Sequence, residues 1–133
     1  MRAVLHALGV QEEAAFKAAF CLAGGLGLKQ ETCGAITGGA MCLSMLSDKY
    51  GRSWDNFNKW GIGELIDGLL EVGKFADKCK EMMGGDKCID LAGMEINNAA
   101  DVEKYVATPN FEGCCVNCAK VAKLTVETLL DEA

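Results

Sequence analysis

Eight cysteines and one histidine concentrate the reactive chemistry of this 133-residue chain in sulfur. Cys33 opens the run Cys33-Gly34-Ala35-Ile36-Thr37-Gly38-Gly39-Ala40-Met41-Cys42, where a helix start signal, a thiol and closely spaced glycines coincide. With Thr32 as N-cap, Cys33 falls in a first helical turn, where free N–H groups and the helix dipole favour negative charge. A thiol so placed ionises below its usual pKa. Cys88 follows a candidate cap at Asp86, and Cys118 lies within about the first turn of a helix that starts near Cys114. Three helix starts aimed at one centre would lower all three pKa values and hold anionic ligands. Any one of these cysteines alone reads more simply as a buried hydrophobe. The shared setting of the three favours a common site.

Cys115 and Cys118 form a Cys-x-x-Cys pair, the spacing of a dithiol/disulfide couple or of two of four metal ligands. No second pair of that spacing accompanies it, which disfavours a zinc ribbon, and Ala119 removes the c-type haem attachment motif. Cys114 is ambiguous, since neighbours on a helix point in different directions. Cys21 and Cys42 sit in apolar stretches and read as core. His6 supplies too little for a histidine metal site or a Cys–His–Asp triad. Gly24-Gly25-Leu26-Gly27 precedes no strand–helix unit, so a nucleotide loop is a poor reading.

The elements that would position these sulfurs are all helical. Residues 3–9 read as a short helix, and 11–23 as a second with a thick apolar face, closed by Gly24-Gly25-Leu26-Gly27. The motif helix then runs to about Lys49. Its Gly34, Gly38 and Gly39 cost helix propensity, which makes sense if another helix or a cofactor approaches the backbone there. Residues 51–61 form a loop holding Trp54 and Trp60, a lid on the core ahead of a subunit contact. The clearest helix spans about 61–83. Its stripe of Ile62, Leu65, Leu69, Val72, Ala76, Cys79 and Met83 suits antiparallel bundle packing and makes Cys79 a buried hydrophobe. Short helices follow around Cys88 and over 99–106, and a last helix runs from near Cys114 to Leu130. Nothing alternates with the period of two that strands require. The expected fold is therefore all-α, a bundle of about four to six helices in a single domain over residues 1–133.

Composition limits the functions open to such a domain. Half the residues are hydrophobic, enough for a real core at this length. The net charge of −6, with no block of lysine and arginine, argues against a nucleic-acid surface or a membrane patch. The acidic residues of the last helix, Glu127 to Glu132, read as an exposed face. Met1 to Leu8 is too short for a secretory signal, and no uncharged stretch reaches the roughly 18–20 apolar residues of a bilayer span. Cysteine-rich chains of the reducing cytoplasm are more often metal-binding or redox proteins than disulfide scaffolds. A cytoplasmic location is the expectation.

The match of Cys33-Gly34-Ala35-x-x-Gly38, followed by isolated Cys88 and Cys118, resembles the redox-active family named for its Cys…Cys-Gly-Ala-x-x-Gly…Cys…Cys pattern. Related helical modules occur in split-Soret cytochromes, where they accompany an iron–sulfur cluster. The resemblance covers nearly the whole chain. It implies an all-helical redox domain with four functional cysteines, three of which carry over to Cys33, Cys88 and Cys118. The fourth would fall at or just before Met1, and Cys115 or Cys114 could substitute for it. The leading expectation is an electron-transfer protein binding an iron–sulfur cluster through Cys33, Cys88, Cys118 and Cys115, with Gly34 and Gly38 letting the backbone close around it. The alternatives are a metal-free thiol–disulfide protein cycling Cys115 and Cys118, with Cys33 as partner, and a structural zinc scaffold. The redox partner protein and substrate are open, and a homodimer is compatible with the glycine-lined helices.

Overall fold

The computed structural model describes residues 1–51, 59 and 61–131. The tryptophan loop lies outside the described residues, apart from Lys59. Among the described residues there are seven α-helices and no strand: α1 Arg2–Ala7, α2 Glu13–Ala19, α3 Gly34–Leu46, α4 Ile62–Met83, α5 Cys88–Ala92, α6 Ala99–Val106 and α7 Pro109–Leu130. Each falls on a stretch read as helical in the sequence, but their number exceeds the four to six expected because three are only five to seven residues long. Between α2 and α3 lie a 3-10 turn, Phe20–Leu22, and a left-handed glycine loop.

The architecture is built around α3, which packs along α7 and α4, while α1 lies against α7 and α3. The core consists of Cys33, Ile36, Leu43, Phe75, Cys79 and Val121, contributed by these three helices and the start of α3. Glycine in the middle of α3 is what permits this closeness. A Cβ on Gly39 would come within 2.9 Å of the Phe75 ring and of the Thr125 hydroxyl. Thr125 is fully buried and donates its hydroxyl to the Val121 carbonyl at 2.7 Å, so the polar atom is satisfied inside its own helix. Cys42 and Cys79 are buried as expected.

Several expectations change. Cys21 is exposed rather than core, its thiol donating to the Ala18 carbonyl at 3.3 Å. Helix α2 stops at Ala19 and fully buries none of its residues; Phe16 and Phe20 face solvent. Only the second half of the α4 stripe is core: Cys79 is buried and Ala76 and Met83 pack against the core beside Phe75, which lies off the stripe, whereas Ile62, Leu65 and Leu69 are exposed. Sequence periodicity marks an apolar face without saying whether the rest of the chain covers it. Helix α7 begins at Pro109, with Thr108 as N-cap, because proline lacks the N–H that a first turn leaves unsatisfied anyway. That start lies five residues before Cys114. The paired lysine and carboxylate Lys123 and Glu127 lie on the exposed face of α7.

Candidate functional site

Two short segments align the first two cysteines. The Cys33 N–H donates to the Asp86 carbonyl at 2.7 Å, and the Cys88 N–H donates to the Glu31 carbonyl at 2.7 Å. Thr32 and Lys87 lie between them as an isolated antiparallel bridge, and Ile89 N–H reaches the Gln30 carbonyl at 3.0 Å. This pairing sets the start of α3 beside the start of α5. Lys87 and Glu31 reinforce it with an exposed ion pair at 3.2 Å.

Gln30 anchors the pairing to the rest of the chain. Its side chain is buried, donates to the Met94 carbonyl at 2.8 Å and accepts from the Ile96 N–H at 2.8 Å. It also ends a loop of unusual handedness. Residues Gly24 to Leu28 and then Gln30 all have φ between 56° and 68°. A left-handed conformation costs a non-glycine residue roughly 1–2 kcal/mol, and Leu26, Leu28 and Gln30 all adopt it. At Gly25 a Cβ would lie 2.6 Å from the Glu31 N, so the loop folds back tightly onto the segment that holds Cys33.

Electrostatic influence links the thiols of Cys33, Cys88, Cys114 and Cys118, and Cys79 joins them through Cys33 alone. Cys33 acts on Cys79, Cys88 and Cys118, and Cys114 acts on Cys33 and Cys88. Cys33 and Cys79 form the buried back of the group; Cys88 and Cys114 are half-buried, and Cys118 is exposed. Cys118 and Cys114 lie one helical turn apart on α7, and the Cys118 thiol and the Tyr105 hydroxyl of α6 are the groups that stabilise a Cys114 thiolate. Tyr105 is fixed by an edge-on contact with Phe111, ring centres 5.6 Å apart. Its hydroxyl also lies 3.5 Å from the Asn110 carbonyl.

The protonation pattern differs from the expected one. Burial pushes the Cys33 thiol up and outweighs the Ala35 and Ile36 N–H groups, which act in the opposite direction. Burial likewise raises Cys88, aided by the charges of Cys33 and Cys114, and lifts Cys79 to about 11. Cys118 is raised because its proton is held by Cys114, with desolvation second. Only Cys114 is lowered, to about 6, because the Cys118 thiol and then the Tyr105 hydroxyl stabilise its thiolate against the cost of burial. Tyr105 is raised, first by burial and then by its bond to Cys114.

Helix starts are therefore not what tunes these thiols. Cys33 is the N-cap of α3, a place expected for Thr32, and Lys87 caps α5 in place of Asp86. Cys118 lies near the third turn of α7, well beyond the reach of the helix dipole at its N-terminus.

Of the predicted residues, Cys33 exerts an electrostatic influence on both Cys88 and Cys118. Cys115 is exposed and stands at the edge of the group, within electrostatic reach of Cys118 and Tyr105. Gly34 and Gly38 meet the chain itself: a Cβ on Gly34 would lie 2.6 Å from the Leu22 carbonyl oxygen, and one on Gly38 would lie 3.5 Å from the Met1 N. Both therefore serve backbone packing in this structure. Sequence reasoning missed Cys79, Tyr105 and Gln30 as parts of the site and left Cys114 undecided. The spacing of Cys114 and Cys118 at i, i+4 was the available signal, since it puts both on one helix face.

A single tetrahedral ion requires four donors around one point, at about 2.3 Å for sulfur. Among the described residues no three Cys, His, Asp or Glu side chains are grouped to hold an ion as they stand. An iron–sulfur cluster distributes its thiolate ligands over more than one iron, and the all-thiol donor set here has the chemistry it requires.

No helix among the described residues is long and apolar enough to cross a membrane. No curated protein and no solved structure matches the chain. Residues 1–129 match the family model described as "Putative redox-active protein (C_GCAxxG_C_C)". On a match of that extent, and with the motif cysteine set among further sulfurs, the chain belongs to this family of redox-active proteins.

Proposed function

We propose that the chain is an electron-transfer domain in which Cys33, Cys88, Cys114 and Cys118 hold an iron–sulfur cluster. What supports this reading is that each of these four thiols, drawn from the starts of α3 and α5 and from α7, is linked in its ionisation to at least two of the others. A bound cluster supplies one-electron chemistry at a potential set by ligand charge, hydrogen bonding and solvent access. The chain's own residues bear on each of these. Ala35 and Ile36 N–H groups bias Cys33 toward its thiolate, Tyr105 donates to Cys114, and the core around Cys33 and Cys79 keeps water from the inner side. Cys115 is the reserve ligand.

Anaerobic purification, a visible spectrum and analysis for iron and acid-labile sulfide test the proposal. Brown protein with iron and sulfide in equal amounts is the expected result. Cys33→Ser, Cys88→Ser, Cys118→Ser and Cys114→Ser each lose the colour, while Cys115→Ser keeps it. Colourless protein containing one zinc would reverse the assignment in favour of a structural site.

The lowered Cys114 thiol, stabilised by Cys118 one turn along the same helix, favours a second, metal-free reading. The Cys114 thiolate attacks one sulfur of a partner disulfide, forming a mixed disulfide and releasing a thiolate that takes the Cys118 proton. Cys118 then attacks the Cys114 sulfur, releasing the second partner thiol and leaving this chain oxidised. Metal-free protein whose thiol count rises by two on reduction would establish it.

A further inference from the structure

Helix α4 carries two apolar faces, and the described residues bury only one of them. Gly68, Phe75 and Cys79 turn into the core. Ile62, Leu65, Ile66, Leu69 and Leu70, spaced at i, i+3, i+4, i+7 and i+8, form a continuous ridge on the other side. Their exposures are 78%, 42%, 48%, 64% and 58%. Such a run of large side chains on a single helix marks an interaction surface, unlike scattered exposed leucines. Beside the ridge, toward the C-terminal half, an open groove is lined by Asp67, Leu70, Glu71, Gly73, Lys74 and Asp77. Its floor at Gly73 is empty space: a Cβ there would meet nothing within 4 Å. Ridge and groove thus lie on the same helix, offset along its axis.

We infer that this face is the interface with a second copy of the chain, the two α4 helices packing antiparallel about a two-fold axis near Leu70. That arrangement lays the ridge of each copy into the Gly73 groove of the other, a self-complementary contact of the kind two-fold symmetry requires. The charges select the direction. Glu64, Asp67 and Glu71 make the first half of α4 acidic, whereas in the second half Lys74, Lys78 and Lys80 outnumber Asp77 and Glu81, with Lys74 also paired to Glu71 in its own chain. Asp67 and Lys74 both border the groove, seven residues apart. Antiparallel pairing sets each Asp67 alongside the other copy's Lys74, whereas parallel pairing sets like charges together. The interface involves a different face of α4 from the one that holds Cys79, so its test is independent of the sulfur chemistry.

Light scattering over a dilution series reads the outcome directly. The expected mass approaches twice 14.1 kDa at high concentration and falls toward one chain on dilution. Leu69→Glu weakens the dimer by more than about tenfold in Kd, equivalent to about 1.4 kcal/mol. Gly73→Leu fills the groove and weakens it similarly, although leucine is the better helix former and the site is open, so circular dichroism stays unchanged. Asp67→Lys or Lys74→Asp alone weakens association, and the double exchange restores it. A chain that is monomeric at every concentration overturns the inference, leaving the ridge to a different protein. So does a dimer indifferent to both Leu69→Glu and Gly73→Leu. Failure of the double exchange to restore pairing overturns the antiparallel arrangement.

Discussion

Cys114 is the side chain whose chemistry depends most on its neighbours. Its thiolate accepts from Cys118 on the same helix and from Tyr105 on another, and these two donors outweigh the desolvation that raises the other thiols of the group. In metal-free, reduced protein, site-resolved alkylation should show Cys114 reacting with a midpoint at about pH 6. Tyr105→Phe removes one donor from the thiolate, so the midpoint should move up and the rate at neutral pH should fall. An unchanged midpoint would mean that Cys118 alone sustains the shift. Cys33 and Cys88 were legible as site residues because each stands at a helix start that glycines, aspartate and threonine announce in the sequence. Cys114 was not, because its pKa depends on a tyrosine nine residues away whose approach only folding decides.

The segments between helices carry more of the site than the helices do. Gln30 joins three of them: its own left-handed loop, the start of α5 through the Ile89 bond, and the 94–96 loop through its side-chain amide. Gln30→Ala leaves the Met94 carbonyl and the Ile96 N–H without their partner. Chemical denaturation should show a loss of about 1–3 kcal/mol, the usual cost of stranding buried polar groups. Because the Cys33 and Cys88 segments hang on this residue, the same variant should also bind any cluster less firmly. The polar loop before Thr32 was readable as a loop, but its handedness was not. Leucine and glutamine avoid positive φ on their own; here the Leu28 N–H meets the Ala23 carbonyl, the Gln30 N–H meets the Gly24 carbonyl, and Gln30 is further held by its bonds to Met94 and Ile96.

Summed over the molecule, the titrating groups predict how stability follows pH in metal-free protein. Cys33, Cys42, Cys79, Cys88 and Cys118 hold their protons more tightly when folded, as does Tyr105, while an unfolded thiol releases its proton near 9.0. Above that pH the unfolded chain binds fewer protons, so stability falls as pH rises. Cys114 works in the other sense. Its contribution is complete above 9.0 and is lost as pH falls toward about 6. Urea midpoints measured across this range should therefore rise from pH 6 to about 9 and fall beyond it. A flat profile would show that the sulfurs are not grouped as described.

The helical class and the succession of helices are written in local pattern: helix formers, glycine stops and apolar spacing act over a few residues and need no partner. The start of α7 at Pro109, the exposed half of α4, the buried environment that raises Cys33 and Cys88, and the donors that lower Cys114 are not local. They depend on which faces other segments cover, and burial and charge proximity exist only once residues distant in the chain have met.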